Sequence, residues 1–152
     1  MTASPPTFTI REAVPDDAAE VARLFGELGY PTPAEVMAER MRAYAAAGET
    51  ALVADDGAAR AGRRLLGVLT IHITPVLHRA GAVGRLTSLV VEESARGRGV
   101  GRALVAAAEA RFEAAGCVLA EVTSNKSRAD AHAFYERLGY VGTSFRFGKP
   151  LR

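Results

Sequence analysis

The chain has 152 residues, 49% hydrophobic and 24% charged, with a formal net charge of +2. This is the composition of an ordinary globular domain, long enough to build a core without a disulfide or metal staple. It excludes a collagen-like or disordered chain. The charge is too mild to argue for nucleic-acid binding. Cys117 is the only cysteine, so no intrachain disulfide forms, which fits a reducing, cytoplasmic setting. The opening "MTASPPTFTI" has no apolar core of leader length, and no run is apolar enough to cross a bilayer. One domain over residues 1–152 is expected.

In chain order, "TFTIREA" (Thr7–Ala13) alternates apolar and polar and predicts a first strand. Pro15 suits the first position of a helix, with Asp16 and Asp17 at its positive end. Val21, Leu24, Phe25 and Leu28 form one stripe, and Gly29 is a stop. Thr32 and Glu35 have capping-box spacing around Pro33, which predicts a second helix ending at Gly48. "TALVADDG" (Thr50–Gly57) and "RLLGVLTIHIT" (Arg64–Thr74) predict two strands, the second ended by Pro75. "LHRAGAVG" predicts a loop, and "RLTSLVVEE" (Arg85–Glu93) a buried fourth strand.

Next comes "SARGRGVGRALVAAAEARFEAAGC", in which Gly97, Gly99 and Gly101 alternate with Arg96, Arg98, Val100 and Arg102. A helix is predicted from about Gly99 to Ala115, with Val100, Leu104 and Ala108 on one face and Gly116 as its stop. "CVLAEVTSN" (Cys117–Asn125) predicts a fifth strand, parallel to the fourth because a helix joins them. Ser127 and Asp130 have capping-box spacing for a fourth helix ending at Gly139, and "YVGTSFRFGK" predicts a final strand.

A glycine-rich loop that opens a helix after a strand gathers unpaired N–H groups around one anion, typically a phosphate. Arg96, Arg98 and Arg102 add charge at the same place. The loop is neither a Walker A loop, since no Gly-Lys-Ser/Thr follows, nor a dinucleotide fingerprint, since Arg102 stands where the third glycine would fall. Basic residues are nearly all arginine, the better fork for phosphate, a bias that a GC-rich genome also produces.

This segment resembles the GNAT superfamily of acetyl-CoA-dependent N-acetyltransferases. Arg96, Gly99 and Gly101 fill its Arg/Gln-x-x-Gly-x-Gly/Ala signature, and "SNKSRADAHAFYERLGY" (Ser124–Tyr140) is similar to a second one through Asn125, Ala131, Phe134, Tyr135, Gly139 and Tyr140. The resemblance implies a mixed α/β (α+β) fold. Its sheet is mostly antiparallel, with a splayed parallel fourth and fifth strand pair and four flanking helices. It implies acetyl-CoA as co-substrate, without a metal. The pyrophosphate would sit on the loop formed by Arg96, Gly97, Arg98, Gly99, Val100, Gly101 and Arg102. Leu89 and Val91 would pair through their backbones with the pantetheine arm. The N–H of Leu89 or Val90 would face the thioester oxygen, and Asn125, Phe134 and Tyr135 would contact the cofactor.

The implied chemistry is direct transfer to a primary amine of a small molecule or peptide, with Tyr135 as general acid for the leaving thiolate. The carboxylate that some members carry on the fourth strand is absent, because Arg85 stands there with Thr87 and Ser88 nearby. Glu121 shares a strand face with Thr123 and Asn125 by parity. It is read either as the base or as a surface partner for an arginine, and an ordered water is the other route.

His72, His78 and His132 have no metal-binding spacing. His132 reads as a helix-surface histidine and Cys117 as a small buried hydrophobe. The acceptor is expected among "LGYPTPAE" and "PVLHRAGAVG", with Tyr30 and His78 as lining residues and Glu27, Glu35 and Glu39 as either amine attractors or solvated faces. Neither nucleic acid nor membrane is an expected partner. Dimerisation is common in the family, and no sequence feature decides it. The competing reading is a non-catalytic coenzyme-A-binding regulatory module.

Overall fold

A computed structural model describes residues 7–57 and 64–152. The leader reading of the opening stretch falls largely on residues 1–6, outside those described. Described elements run β1 (Thr9–Glu12), a 3-10 turn (Pro15–Asp17), α1 (Ala18–Glu27), α2 (Ala34–Ala46), β2 (Thr50–Asp55), β3 (Leu65–Thr74) and β4 (Ala82–Val91). A second 3-10 turn (Glu93–Ala95), α3 (Val100–Ala114), β5 (Cys117–Val122) and α4 (Ala129–Arg137) follow. The strands form one sheet in sequence order. β1 to β4 pair antiparallel, and β4 with β5 parallel, as a helical crossover requires.

Strand alternation sends apolar side chains to both faces. Leu52, Leu66, Leu69 and Leu86 pack beneath α3, against Val100, Leu104, Ala108 and Phe112. Val53, Leu65, Val68 and Val90 pack on the other face with Val21 and Leu24 of α1 and Met37 of α2. Full burial of these branched side chains, at about 1.5–3 kcal/mol each, fixes the sheet between two helical layers. An ionic network ties down the start of the chain. Arg11 grips Asp17 through two hydrogen bonds of 2.8 and 2.9 Å and reaches Asp55, and Asp17 also accepts the Val14 N–H.

Several expectations change. No strand forms from "YVGTSFRFGK"; residues 140–152 carry no regular structure. The loop expected over 77–84 ends early, because Ala82, Val83 and Gly84 begin β4. Gly84 serves packing there: a Cβ would lie 2.3 Å from Cγ of Phe112. Neither capping box is made. Pro33 and Arg128 occupy the N-cap positions of α2 and α4, without side-chain caps. Thr32 bonds Tyr30 O, and Ser127 donates to Asn125 Oδ1, so both hydroxyls are already engaged. Pro15 opens a 3-10 turn rather than α1 itself.

Candidate active site

The parallel pairing of β4 with β5 runs from Ala82–Cys117 to Leu86–Val122 and then stops, while β4 stays paired with β3 through Val91. The strands part at one residue. Opposite Thr70 and Ile71, the β4 register skips Thr87, a one-residue bulge. Hydroxyls pin it: Thr70 Oγ1 lies 2.7 Å from Thr87 Oγ1 and also bonds Ser88 Oγ. Tyr44 of α2 braces the neighbouring strand by donating to Ile71 O at 2.9 Å.

Beyond the bulge, backbone direction follows from one bond. The Glu92 N–H donates to Leu66 O on β3 at 2.8 Å. Sides alternate along a strand, so the N–H groups of Val91 and Leu89 face away from β3, into the gap, and that of Val90 faces β3.

The gap opens into a cleft of about 2420 Å³ lined by β4, the glycine loop, β5, α4 and the segment after it. Gly97 and Gly99 take φ of +81° and +80°, values that only glycine adopts without strain. Gly99 is the N-cap of α3, with no side-chain cap, so the loop presents backbone donors. Gly101 has a different role: a Cβ would come within 3.2 Å of the Phe134 ring, so its small size seats α4 against α3. Arg96 and Arg102 border the cleft. Arg98 does not; it donates to Thr7 Oγ1 at 2.5 Å.

Across the gap, Asn125, Phe134, Tyr135 and Glu121 all line the cleft, as do Leu89, Val90 and Val91. Asn125 Oδ1 accepts from Ser127 N and Oγ at 3.0 and 2.8 Å, which leaves its amide nitrogen as its donor toward the cleft. His132 is half-buried and bonds the Asn125 carbonyl at 2.8 Å, so it holds that loop. The Tyr135 ring meets Phe134 and Tyr140 edge to face, with centroids 5.1 and 5.8 Å apart. Burial raises the Tyr135 hydroxyl above its ordinary pKa of 10, partly offset by the charge of Arg128. Glu121 forms an ion pair with Arg85 at 3.3 Å. Ser124 Oγ is buried in the cleft wall without a hydrogen-bond partner among the described residues, a polar atom that a bound polar ligand would satisfy.

Sequence reading missed what braces the loop. Glu92 is buried between Arg23, Arg64 and Ser94: Arg23 Nη1 donates at 3.0 Å, Ser94 Oγ at 2.9 Å, and Arg64 Nη2 also bonds it. The signal was the pair "EE" closing a buried strand, but its partners lie far off in sequence. On the acceptor side, Tyr30, Glu27, Thr32 and Arg40 reach the cleft, while His78, Glu35 and Glu39 do not. His72 pairs with Glu49 at 2.6 Å. Cys117 is half-buried. No cluster of three or more His, Cys, Asp or Glu side chains able to hold a metal occurs among the described residues, and none of their helices is long and apolar enough to cross a membrane.

This geometry has close counterparts. Aminoalkylphosphonate N-acetyltransferase of Salmonella typhimurium is 40% identical over 87 residues, 57% of this chain and 56% of that enzyme, so the match spans little more than half of its length. A solved acetyltransferase of Trypanosoma brucei superposes with a TM-score of 0.79 at 25% identity, covering 95% of this chain and 99% of that one. A transcriptional regulator of Bacillus halodurans C-125 does so at 0.80, with the same identity and coverage. The acetyltransferase (GNAT) family pattern matches residues 18–140. With most of the chain matched and the split strand pair in place beside the glycine loop, the protein belongs to the GNAT acetyltransferase family.

Proposed function

We propose that the protein is a single-domain N-acetyltransferase that moves an acetyl group from acetyl-CoA directly to a primary amine of a small molecule. The observation that carries this reading is the parting of β4 and β5 at Leu86–Val122, directly beside the left-handed glycines at the start of α3. A slot edged by free backbone donors suits an extended amide-bearing arm, and a helix N-terminus suits the phosphates at its end.

In this reading the backbone of Gly97, Gly99, Val100, Gly101 and Arg102 holds the pyrophosphate, with Arg96 and Arg102 as charge partners and Arg98 turned to Thr7. Leu89 and Val91 pair with the arm, and the Asn125 amide nitrogen and Ser124 hydroxyl close its other side. Acetyl-CoA supplies an activated acyl group on a thiol leaving group. The amine nitrogen bonds to the acyl carbon as the C–S bond breaks, and the Leu89 N–H donates to the carbonyl oxygen as charge builds there. Tyr135 gives its phenolic proton to the departing sulfur, and Glu121, directly or through a water, takes the proton the amine loses. Holding both reactants in one cleft accounts for much of the acceleration.

The acceptor wall narrows the substrate class. It carries Arg40, Tyr44, Thr70, Thr87 and Ser88, with Glu27 near Arg40's side of the cleft and Arg85 already paired with Glu121. Arg40 suits an anionic group on the amine and Glu27 the amine's own charge, in keeping with the aminoalkylphosphonate chemistry named for the Salmonella enzyme. The test is calorimetric titration with acetyl-CoA, with ATP and duplex DNA as controls. Thiol-release assays follow on aminoalkylphosphonates, neutral amines and polyamines. One-to-one acetyl-CoA binding and turnover of the anionic amines are expected. Binding without turnover of any amine would leave a coenzyme-A-binding regulatory module instead.

A further inference from the structure

Glu20, Arg23 and Glu27 follow one another at helical spacing along α1, so they stand in one row on its surface. Arg23 reaches well beyond that row. Its Nε donates to Glu20 Oε2 at 2.8 Å, and its Nη2 donates to Glu20 Oε1 at 3.1 Å and to Leu65 O at 3.0 Å. Its Nη1 donates to Glu92 Oε1 at 3.0 Å and to Glu27 Oε1 at 3.5 Å. A guanidinium has five N–H donors, and with the described residues alone all five are engaged. One side chain thus ties α1 to the start of β3 and to the end of β4.

The two carboxylates that share Nη1 belong to different halves of the cleft. Of Glu20, Arg23, Glu27 and Glu92, Glu27 alone lines it, on the acceptor side. Glu92 leads to the other half. Its Oε2 accepts from Ser94 Oγ at 2.9 Å, and its carbonyl accepts from the Ala95 N–H at 3.0 Å. Ala95 and Arg96 then line the cleft at the root of the glycine loop. One nitrogen therefore stands between the acceptor wall and the loop proposed to hold phosphate.

Its two bonds are unequal. The Glu27 bond is the longest of the five and joins side chains 32% and 37% exposed, and such exposed pairs are weak. The Glu92 side chain is only 7% exposed, and a carboxylate so buried is costly to leave without its cation. A cation arriving from the cleft therefore takes Glu27 from Arg23 far more readily than Glu92. Two arrangements follow. In the one the structure shows, Nη1 is split between the two carboxylates. In the other, an ammonium pairs with Glu27, and Nη1 turns wholly to Glu92.

We propose that Arg23 is a positioning residue that couples the two halves of the cleft. An amine whose cation pairs with Glu27 releases an Arg23 donor to Glu92, steadies the turn that starts the glycine loop, and so raises the affinity for acetyl-CoA. Coupling of this kind is reciprocal, so acetyl-CoA raises the affinity for the amine by the same factor. A molecule without a positive charge gains nothing, because it has nothing to set against Glu27. The complex of both substrates is favoured over either alone. The inference rests on the transferase reading above.

The experiment is calorimetric titration of the full chain with coenzyme A, which carries no acyl group to transfer, alone and with 2-aminoethylphosphonate in excess. Ethylphosphonate, the same anion without the amine, is the control. In the parent the ammonium compound should tighten coenzyme A binding by about fivefold or more, and ethylphosphonate should leave it unchanged. Glu27→Gln keeps the Arg23–Glu92 bond and removes the charge that the ammonium seeks. It should bind coenzyme A at least as tightly as the parent does alone, with no coupling. Arg23→Lys has one nitrogen where the fork had three, and it should bind coenzyme A more weakly, again with no coupling. A merely structural Arg23 would weaken binding and leave the coupling factor in place. Glu27 is an exposed position, so its variant keeps the test decisive even where Arg23→Lys does not fold. An uncoupled parent, an equal effect of ethylphosphonate, or a factor that survives either variant overturns the proposal and leaves the transferase reading standing. A parent that binds no coenzyme A overturns both.

Discussion

Arg85 on β4 and Glu121 on β5 are register partners, with Nη1 and Oε1 3.3 Å apart, one step before the two strands separate. The pair sits where the floor of the cleft ends. Arg85 also donates to Thr123 at 3.0 Å, so one guanidinium holds two consecutive cleft-facing positions of β5. In the proposed reading this carboxylate receives the proton the amine loses. Glu121→Gln keeps the shape and removes the basicity, and kcat should fall by about 10²–10⁴ with acetyl-CoA affinity unchanged. Near-parental turnover would assign the proton to water and leave Glu121 as the holder of Arg85.

Tyr135 is pushed above its ordinary pKa of 10 by burial. A raised pKa keeps the phenol protonated through neutral and mildly alkaline pH, so loss of this acid can depress kcat only above about pH 10. Tyr135→Phe should bind acetyl-CoA as the parent does and lose about 10²–10⁴ of kcat. An alkaline limb centred near pH 8 that vanishes in the phenylalanine variant would contradict the assigned pKa direction.

Gly99 separates strain from charge. Nothing lies within 4 Å of a Cβ built there, yet its φ is +80°. Gly99→Ala should therefore cost about 1–2 kcal/mol of stability through left-handed backbone alone and still bind acetyl-CoA. Gly99→Glu carries the same strain and adds a negative charge at the helix N-terminus, and it should lose binding in calorimetry. Equal affinities in the two variants would show that no anionic group rests on this loop.

Glu92 gives a pH signature of folding. Burial alone would raise its carboxyl, but the Ser94 and Arg64 hydrogen bonds and the charges of Arg64 and Arg23 outweigh that and hold it below its ordinary value of 4.5. The folded state then binds this proton less readily than the unfolded one. Its contribution is present above about pH 4.5 and fades as pH falls through the lowered value. Glu92→Gln should be less stable than the parent by about 1.5–3 kcal/mol at pH 7, with the gap closing in acid. Urea midpoints at pH 7 and in acid check this, and a gap independent of pH would refute it.

What the sequence showed depended on how far apart the interacting residues stand. Helix stops were legible, because Gly29, Gly48, Gly116 and Gly139 all adopt the positive φ that ends a helix. The glycine loop and its helix were legible for the same local reason. Gly84 misled: it looks like turn chemistry, but it is a strand residue that makes room for Phe112, which is far along the chain. The two capping boxes had the right spacing, but Thr32 and Ser127 found nearer partners in Tyr30 O and Asn125 Oδ1. The Glu92 network joins residues 69 and 28 positions apart, a separation that no local pattern encodes.

The parting of the strands also sets how the slot yields. β4 is fastened along its length to β3 and clamped at its end by Glu92, whereas β5 beyond Val122 is held chiefly by the hydrogen bonds of Asn125, Ser127 and His132. The slot thus has one side tied into the sheet and one side tied mostly to itself. In the proposed reading, a ligand in the slot meets a fully paired strand on the β4 side and a locally bonded loop on the β5 side.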